Sequence, residues 1–437
     1  MILKSSYYNI CIDCDDSDAT IIFNTLYGSM AVFEAEEFSR VQQILKSPNS
    51  DDYKQIKKNL QELKFIIPDA TDEFAIIQNR KQCGVEDKNR LDLTIMPTLN
   101  CNFACSYCYE KHITSSMDAP TSDALLKWLA NEIPKFKYVI IHWFGGEPLL
   151  EIESLIHISK AIKAIAASHQ VELSIQMTTN GYLLTQTTIE KLVGCGIMEY
   201  QITLDGGEAY HNTLRTLKNG KPTFERIFQN ILNLASFSQT VIITLRINFN
   251  HTNFESIPEL LHQFPHDIRK QLRFTLEPIF GNCTINAIDN IDNAEISVHL
   301  SNYYAIAKDL GYDVYHALKL IDTGKLVYCS AERVHQYIVN YNGDIFKCSV
   351  GNFAKEERIG FLNAAGEFIK EEIHYSKWLK RNNFEDTCYP CQYLPVCMGG
   401  CRKARIENNG NTGSVCQLVP SNTSLFIKQI ALKELHN

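Results

Sequence analysis

Cys101, Cys105 and Cys108 lie in the stretch CNFACSYCYE, three thiols at spacings of four and then three residues. Thiolates are ligands for zinc and for iron–sulfur clusters, and a short loop carrying three of them can surround one inorganic centre. An iron–sulfur cubane normally takes four cysteines. A three-cysteine loop would leave one iron open to an external chelator. A zinc ion completed by a neighbour such as His112 is the other chemistry these ligands permit.

A second series follows far along the chain. Cys329 is separated by Gly343 from Cys348, and then come Cys388-x2-Cys391-x5-Cys397-x3-Cys401 and finally Cys416. The bacterial ferredoxin run does not fit this spacing; two structural zinc sites would. Ten of the fifteen cysteines fall into these two patterns. The others, Cys11, Cys14, Cys83, Cys195 and Cys283, read as packing or surface thiols, since the Cys11-x2-Cys14 pair lacks two further ligands nearby. The N-terminal stretch MILKSSYYNICIDCDD lacks the apolar run of a secretory signal, and no segment reaches the ~18 apolar residues of a membrane span. A cytoplasmic protein is therefore expected, which disfavours a disulfide framework. A net charge of −8 gives no bulk attraction to nucleic acid or to an anionic membrane.

The elements that must position these thiols follow from hydrophobic periodicity. Residues 1–85 read as a small α+β unit: two strands in 19–33 around a turn at Tyr27–Gly28, helices over 35–46 and 51–64, then a short strand and an exit segment. Residues 86–315 alternate strand and helix, with strands at 91–98, 137–144, 171–179, 199–204, 240–249 and 272–278 and a mixed helical bridge at the end. Such alternation implies a parallel sheet of α/β class. An open six-stranded barrel and a doubly wound sheet both satisfy it, and either gathers ligands at the strands' carboxyl ends. Residues 316–437 hold the second cysteine series among turn signals such as YNGD.

The first cysteine loop resembles the signature of the radical S-adenosylmethionine (SAM) superfamily, C-x3-C-x2-C with an aromatic residue, here Tyr107, before the last cysteine. The resemblance implies a partial (β/α)6 barrel in which Cys101, Cys105 and Cys108 hold a [4Fe–4S] cluster whose open iron is chelated by SAM. Three further segments agree, each closing a successive strand. In WFGGEP, Gly145, Gly146 and Glu147 would meet the methionyl amine. TTNGYLL contributes Asn180, and TLDGGEAYHNTLR places Thr203, Asp205 and Arg215 near the ribose and carboxylate. The C-terminal series resembles the SPASM extension, which carries two auxiliary [4Fe–4S] clusters. By that likeness Cys388, Cys391, Cys397 and Cys416 hold one cluster and Cys329, Cys348 and Cys401 the other, its fourth ligand being Cys283 or substrate.

SPASM enzymes mostly modify peptides or proteins, so a ribosomal precursor peptide or protein is the expected substrate, with a flavodoxin or ferredoxin as electron donor. A 5′-deoxyadenosyl radical would remove hydrogen from a peptide residue, leading to a thioether, another crosslink or an oxidation. Residues 1–85 are similar in size to small leader-recognition domains that capture peptide by strand addition. Sulfatase-maturating relatives carry aspartate directly after the cysteine matched by Cys348; this chain has Ser349, which counts against that reaction. Action on a small molecule, a non-catalytic iron–sulfur carrier and a zinc-stabilised binding module are the other readings. The candidates for proton transfer are His211, Tyr210 and Glu277.

Overall fold

The computed structural model describes residues 2–14, 18–250, 253–279, 293–314, 322–351, 353–379, 384–407, 423–428 and 430–431. Cys283 and Cys416 lie outside them.

The N-terminal elements are β1 (Leu3–Ser5), β2 (Asn9–Asp13), β3 (Thr20–Asn24), β4 (Met30–Phe33), α1 (Ala35–Lys46), α2 (Lys54–Glu62), β5 (Ile66–Pro68) and α3 (Glu73–Val85). Strands β2, β3 and β4 form an antiparallel sheet, and β1 pairs with β5. The β3–β4 hairpin is where the sequence predicts it. The exit segment is instead a thirteen-residue helix, α3, started by Asp72, whose side chain accepts from the Ala75 amide.

Six parallel strands follow: β6 (Arg90–Ile95), β7 (Tyr138–Trp143), β8 (Glu172–Thr179), β9 (Ile197–Thr203), β10 (Ile242–Phe249) and β11 (Leu272–Pro278). Their helices are α4 (Ala119–Glu132), α5 (Ile152–Ser168), α6 (Gln186–Gly194), α7 (Glu208–Leu214), α8 (Phe224–Phe237) and α9 (Ile257–Gln263), with α10 (Asn293–Asp309) after β11. The strands lie in sequential order, β11-β10-β9-β8-β7-β6. A doubly wound sheet reverses its order midway to cover both faces. An unreversed series of right-handed crossovers puts every helix on one face, so the partial barrel is the fold.

Packing confirms which face is which. Along β7, Val139, Ile141 and Trp143 are buried in the core beneath the helices, and Trp143 Nε1 donates to Ser159 Oγ on α5 at 3.1 Å. The alternate residues, Ile140 and His142, are only half-buried and face the other way. The same alternation turns Thr94, Gln176, Thr178, Gln201, Thr244 and Arg246 inward, and the strand register aligns them side by side. A closed eight-stranded barrel fills this space with branched apolar side chains. Here the concave face is polar and open, a surface for ligands rather than a core.

The sheet does not end with the barrel. β12 (Gln336–Val339) adds parallel to β6, and β13 (Asp344–Phe346), β14 (Gly360–Leu362) and β15 (Phe368–Lys370) extend it antiparallel, making ten strands. Barrel and cysteine-rich segment thus share one sheet across the expected boundary at 315. Short helices α11 (Glu372–Trp378), α12 (Leu394–Cys397) and α13 (Arg402–Glu407) follow. Among the described residues no helix is long and apolar enough to cross a membrane.

Candidate active site

The loop after β6 is stopped by Pro97 and then braced from two sides. Thr98 Oγ1 donates to the Ser115 carbonyl at 2.6 Å and accepts from the Asn100 amide at 2.9 Å. Further on, Ala104 and Ser106 donate from their amides to the Thr216 and Leu214 carbonyls, and Phe103 bridges to Leu217. The cysteine loop is thereby zipped to the segment that carries Arg215. Cys101 is buried, and Cys105 and Cys108 are half-buried. Burial pushes the Cys101 and Cys108 thiols up to about 12. Ligation to a cationic centre would reverse that, because a coordinating thiol is deprotonated. His112 does come alongside, its Nε2 3.6 Å from Cys108 Sγ. Among the described residues, however, no three His, Cys, Asp or Glu side chains converge as a single metal ion requires.

The second strand's loop wedges directly under this one. A Cβ on Gly145 would lie 2.3 Å from the Thr98 carbonyl oxygen, and the residue has φ +119°; a Cβ on Gly146 would lie 2.3 Å from the Asn100 carbonyl oxygen. Only glycine lets the two backbones approach so closely. Glu147 is fully buried and its carboxylate is spent on the protein. It accepts from the Leu149 amide at 3.0 Å, Thr179 Oγ1 at 2.8 Å and the Asn180 amide at 2.8 Å. Glu147, expected with Gly145 and Gly146 to meet the methionyl amine, uses its side chain to tie the second strand's end to the third's. The backbone of 145–147 is the part left to face a ligand. Asn180 turns its Nδ2 to Asn102 Oδ1 at 2.7 Å and lies 3.9 Å from Cys101 Sγ.

The fourth and fifth strands supply a polar network. Asp205, wholly buried, accepts from the Tyr107 hydroxyl and, at Oδ1, from the Asn248 amide at 2.8 Å. Arg215 NH1 and Asn248 Nδ2 both donate to the Tyr107 hydroxyl, at 2.7 and 3.0 Å. Arg215 sits 3.8 Å from Asp205 and 5.7 Å over the Phe103 ring. Its Nε is buried and without a hydrogen-bond partner among the described residues. An orphaned guanidinium nitrogen beside three thiols and a glycine cradle fits a cofactor that brings its own carboxylate and a cluster that accepts thiolates. Thr203 is buried next to Arg246 in the strand register.

The proton-transfer candidates separate. His211 is 0% exposed; its Nδ1 accepts from the Asp205 amide at 3.1 Å and its Nε2 faces Thr223 Oγ1 at 3.0 Å. Thr223 Oγ1 in turn donates to the Arg215 carbonyl, so the imidazole is the neutral Nε2–H tautomer. Burial lowers its pKa well below the usual value. With both nitrogens committed, His211 braces the Asp205–Arg215 loop and is withdrawn from proton transfer. Tyr210 is 40% exposed on the outer helix α7. Glu277 alone of the three sits on a barrel strand, opposite Asn248 in the register and half-buried. Asn248 was overlooked in the sequence. Its signal is the one that marks Thr203, a polar residue at the carboxyl end of a barrel strand.

Of the second cysteine series, Cys329, Cys348 and Cys401 are near enough for the last two to raise the pKa of the first. Gly343, at φ +81°, makes the tight β12–β13 turn that returns the chain to Cys348. Cys388, Cys391 and Cys397 occupy successive turns, with the Cys391 amide donating to the Cys388 carbonyl at 3.1 Å.

Fold and rim define a partial barrel with a three-thiol loop and a glycine cradle at its strands' carboxyl ends, and residues 95–264 match the Radical SAM superfamily. The chain belongs to that superfamily, whose members use SAM and a [4Fe–4S] cluster. It is 30% identical to the serine-type anaerobic sulfatase-maturating enzyme of Bacteroides thetaiotaomicron, over 71% of this chain and 82% of that one. It is 23% identical to the radical SAM cyclopropyl synthase TigE of Paramaledivibacter caminithermalis, over 94% of this chain and 91% of the other. Among solved structures, Streptococcus suis SuiB bound to precursor peptide SuiA superposes over 95% of this chain and 100% of its own, with a TM-score of 0.54 and 17% identity. The chain is a radical SAM enzyme of the maturase type.

Proposed function

We propose that this protein is a peptide maturase acting on a ribosomally made precursor, forming a crosslink or an oxidised residue. One observation carries the reading. The carboxyl ends of successive strands bring the cysteine loop, the Gly145–Gly146 cradle, Asn180, Asp205 and Arg215 to one rim above a polar, open concave face. In this reading Cys101, Cys105 and Cys108 hold the [4Fe–4S] cluster, and Arg215, whose Nε has no partner among the described residues, receives the carboxylate of SAM. Held there, the two cofactors would supply radical hydrogen-abstraction chemistry at the rim. The chain's own part is to orient and to exclude water. Tyr107 and Asn248 fix Asp205 and Arg215, and Glu147 locks the second and third loops together. Glu277 is the candidate for holding a proton close to substrate.

The C-terminal cysteines are assigned to two auxiliary clusters, Cys388, Cys391, Cys397 and Cys416 to one and Cys329, Cys348 and Cys401 to the other. They would accept the electron left on the product, with a flavodoxin or ferredoxin as the external donor. Residues 1–85 are assigned to peptide capture. The near-complete fold likeness to a precursor-bound enzyme supports a peptide substrate. Sulfatase maturation is favoured by the identity to the Bacteroides enzyme and opposed by Ser349.

The test is anaerobic reconstitution with SAM and dithionite. The wild-type chain should release 5′-deoxyadenosine and change the mass of a co-expressed precursor peptide, and Cys105→Ala should abolish both. Release that survives Cys105→Ala would refute the cluster assignment. A mass change that appears only on sulfatase peptides would replace the substrate assignment.

A further inference from the structure

A buried ion pair lies at the junction of three segments distant in sequence. Lys81, on the N-terminal helix α3, puts its ammonium 2.5 Å from Glu332 Oε1 and 3.0 Å from the Met398 carbonyl, partners 251 and 317 residues away. Both side chains are under 10% exposed. Glu332 Oε2 accepts from the Tyr328 amide at 2.8 Å, closing the turn that presents Cys329. Met398 lies between Cys397 and Cys401, fully buried, in the left-handed region at φ +50°. One ammonium therefore joins the turn before one group of cysteines to the bend between two others.

The surrounding packing has the same arrangement. Tyr8, Leu26 and Ile77 of the N-terminal unit share a core with Phe384, Cys388, Leu394 and Met398. Phe74 lies 4.8 Å from the Tyr389 ring, Tyr7 Oη donates to the Pro390 carbonyl at 2.7 Å, and Gln392 Nε2 donates to the Tyr7 and Asn9 carbonyls. A buried ion pair is weak support for stability, because desolvation offsets most of its attraction. Its geometry is directional, however, and a positioning role suits that.

We propose that Lys81 and Glu332 are positioning residues for the C-terminal thiols, holding the Cys329 turn and the Cys397–Cys401 bend at the separation a shared cluster needs. The N-terminal unit is then a structural wall of the auxiliary-cluster site, in addition to the peptide capture assigned to it above. This rests on the assignment of the C-terminal cysteines to auxiliary clusters.

The experiment uses the full chain, reconstituted anaerobically, with iron and sulfide content and the low-temperature EPR spectrum of the reduced protein as readouts. Wild type should take up three clusters. Lys81→Met should lose about four irons per chain, one cubane, while the SAM-dependent change in the first cluster's EPR signal persists. Lys81→Met also strands a buried carboxylate, so Lys81→Met/Glu332→Gln is the companion. It should regain thermal stability without regaining the iron, since Met398 still lacks its donor. Ile77→Val, buried on the same helix, should lower stability with full iron. Full iron and an unchanged spectrum in Lys81→Met would overturn the proposal, as would iron that returns together with stability in the double variant. A wild-type chain holding only one cluster would instead overturn the auxiliary-cluster assignment itself.

Discussion

Gly146→Ala is the substitution whose consequence the structure fixes most tightly. The added methyl would sit 2.3 Å from the Asn100 carbonyl oxygen, 2.6 Å from its carbon and 2.7 Å from the Leu99 carbonyl oxygen. All three are backbone atoms, so no side chain can swing away. Relief to ordinary contact needs about 1 Å of movement by the Leu99–Asn100 backbone. That movement breaks the 2.8 Å bond from the Glu147 amide to the Asn100 carbonyl and displaces Cys101, the next residue. Misplacing aligned reacting groups by about 1 Å costs about 100-fold in rate. The assay is 5′-deoxyadenosine release, with iron content and circular dichroism as checks on loading and fold. Gly146→Ala should fall by about two orders of magnitude with its helix content intact. Gly194→Ala is the control, because its Cβ meets nothing within 4 Å and the residue ends α6. Wild-type release from a fully loaded Gly146→Ala protein would refute the claim that the two loops act as one cradle.

Other expectations concern the same rim. Glu147→Gln sets an amide NH2 against one of three donors that now meet a carboxylate, and should cost about 1–3 kcal/mol, seen as a lowered Tm in a thermal melt. Tyr107→Phe removes the hydroxyl shared by Asp205, Arg215 and Asn248. It should weaken SAM binding about tenfold by calorimetry, the equivalent of one charge-assisted hydrogen bond; an unchanged Kd would show that the network does not shape the cofactor site. His142, half-buried on the concave face, has Thr178 Oγ1 at 2.8 Å from its Nε2, and desolvation by the surrounding barrel lowers its pKa to about 4. The unfolded chain takes up that proton near pH ~6.5, so the stability His142 contributes is full above about 6.5 and is lost as pH falls toward 4. Melting followed across that window should show a drop that His142→Gln reduces.

How much of this was legible beforehand varies by element. The sequence predicts the six barrel strands within three residues of their bounds, because each is an apolar run or an apolar–polar alternation long enough to cross a sheet. The helix Glu73–Val85 is not predicted, since its polar and apolar residues lack a clear amphipathic stripe. It is buried from several sides, among them by the C-terminal loops of Cys388 to Met398, which no local window contains. His211 shows the other kind of miss. Its place after a strand's end suggested chemistry, and only the folded chain shows Asp205 on one nitrogen and Thr223 on the other.

Residue type and spacing determined the chemistry available to this protein: three thiols on one loop, paired glycines, and an arginine after the fourth strand, each tied to a strand's end by local signals. The tertiary structure decided which of these groups face a ligand and which serve one another. Glu147 and His211 are turned to the protein, Asn248 is brought in, and Lys81 reaches Glu332 and Met398. The reason is physical. Periodicity and turn signals act over a few residues, whereas a buried polar atom must be satisfied by whatever the fold brings within hydrogen-bond reach.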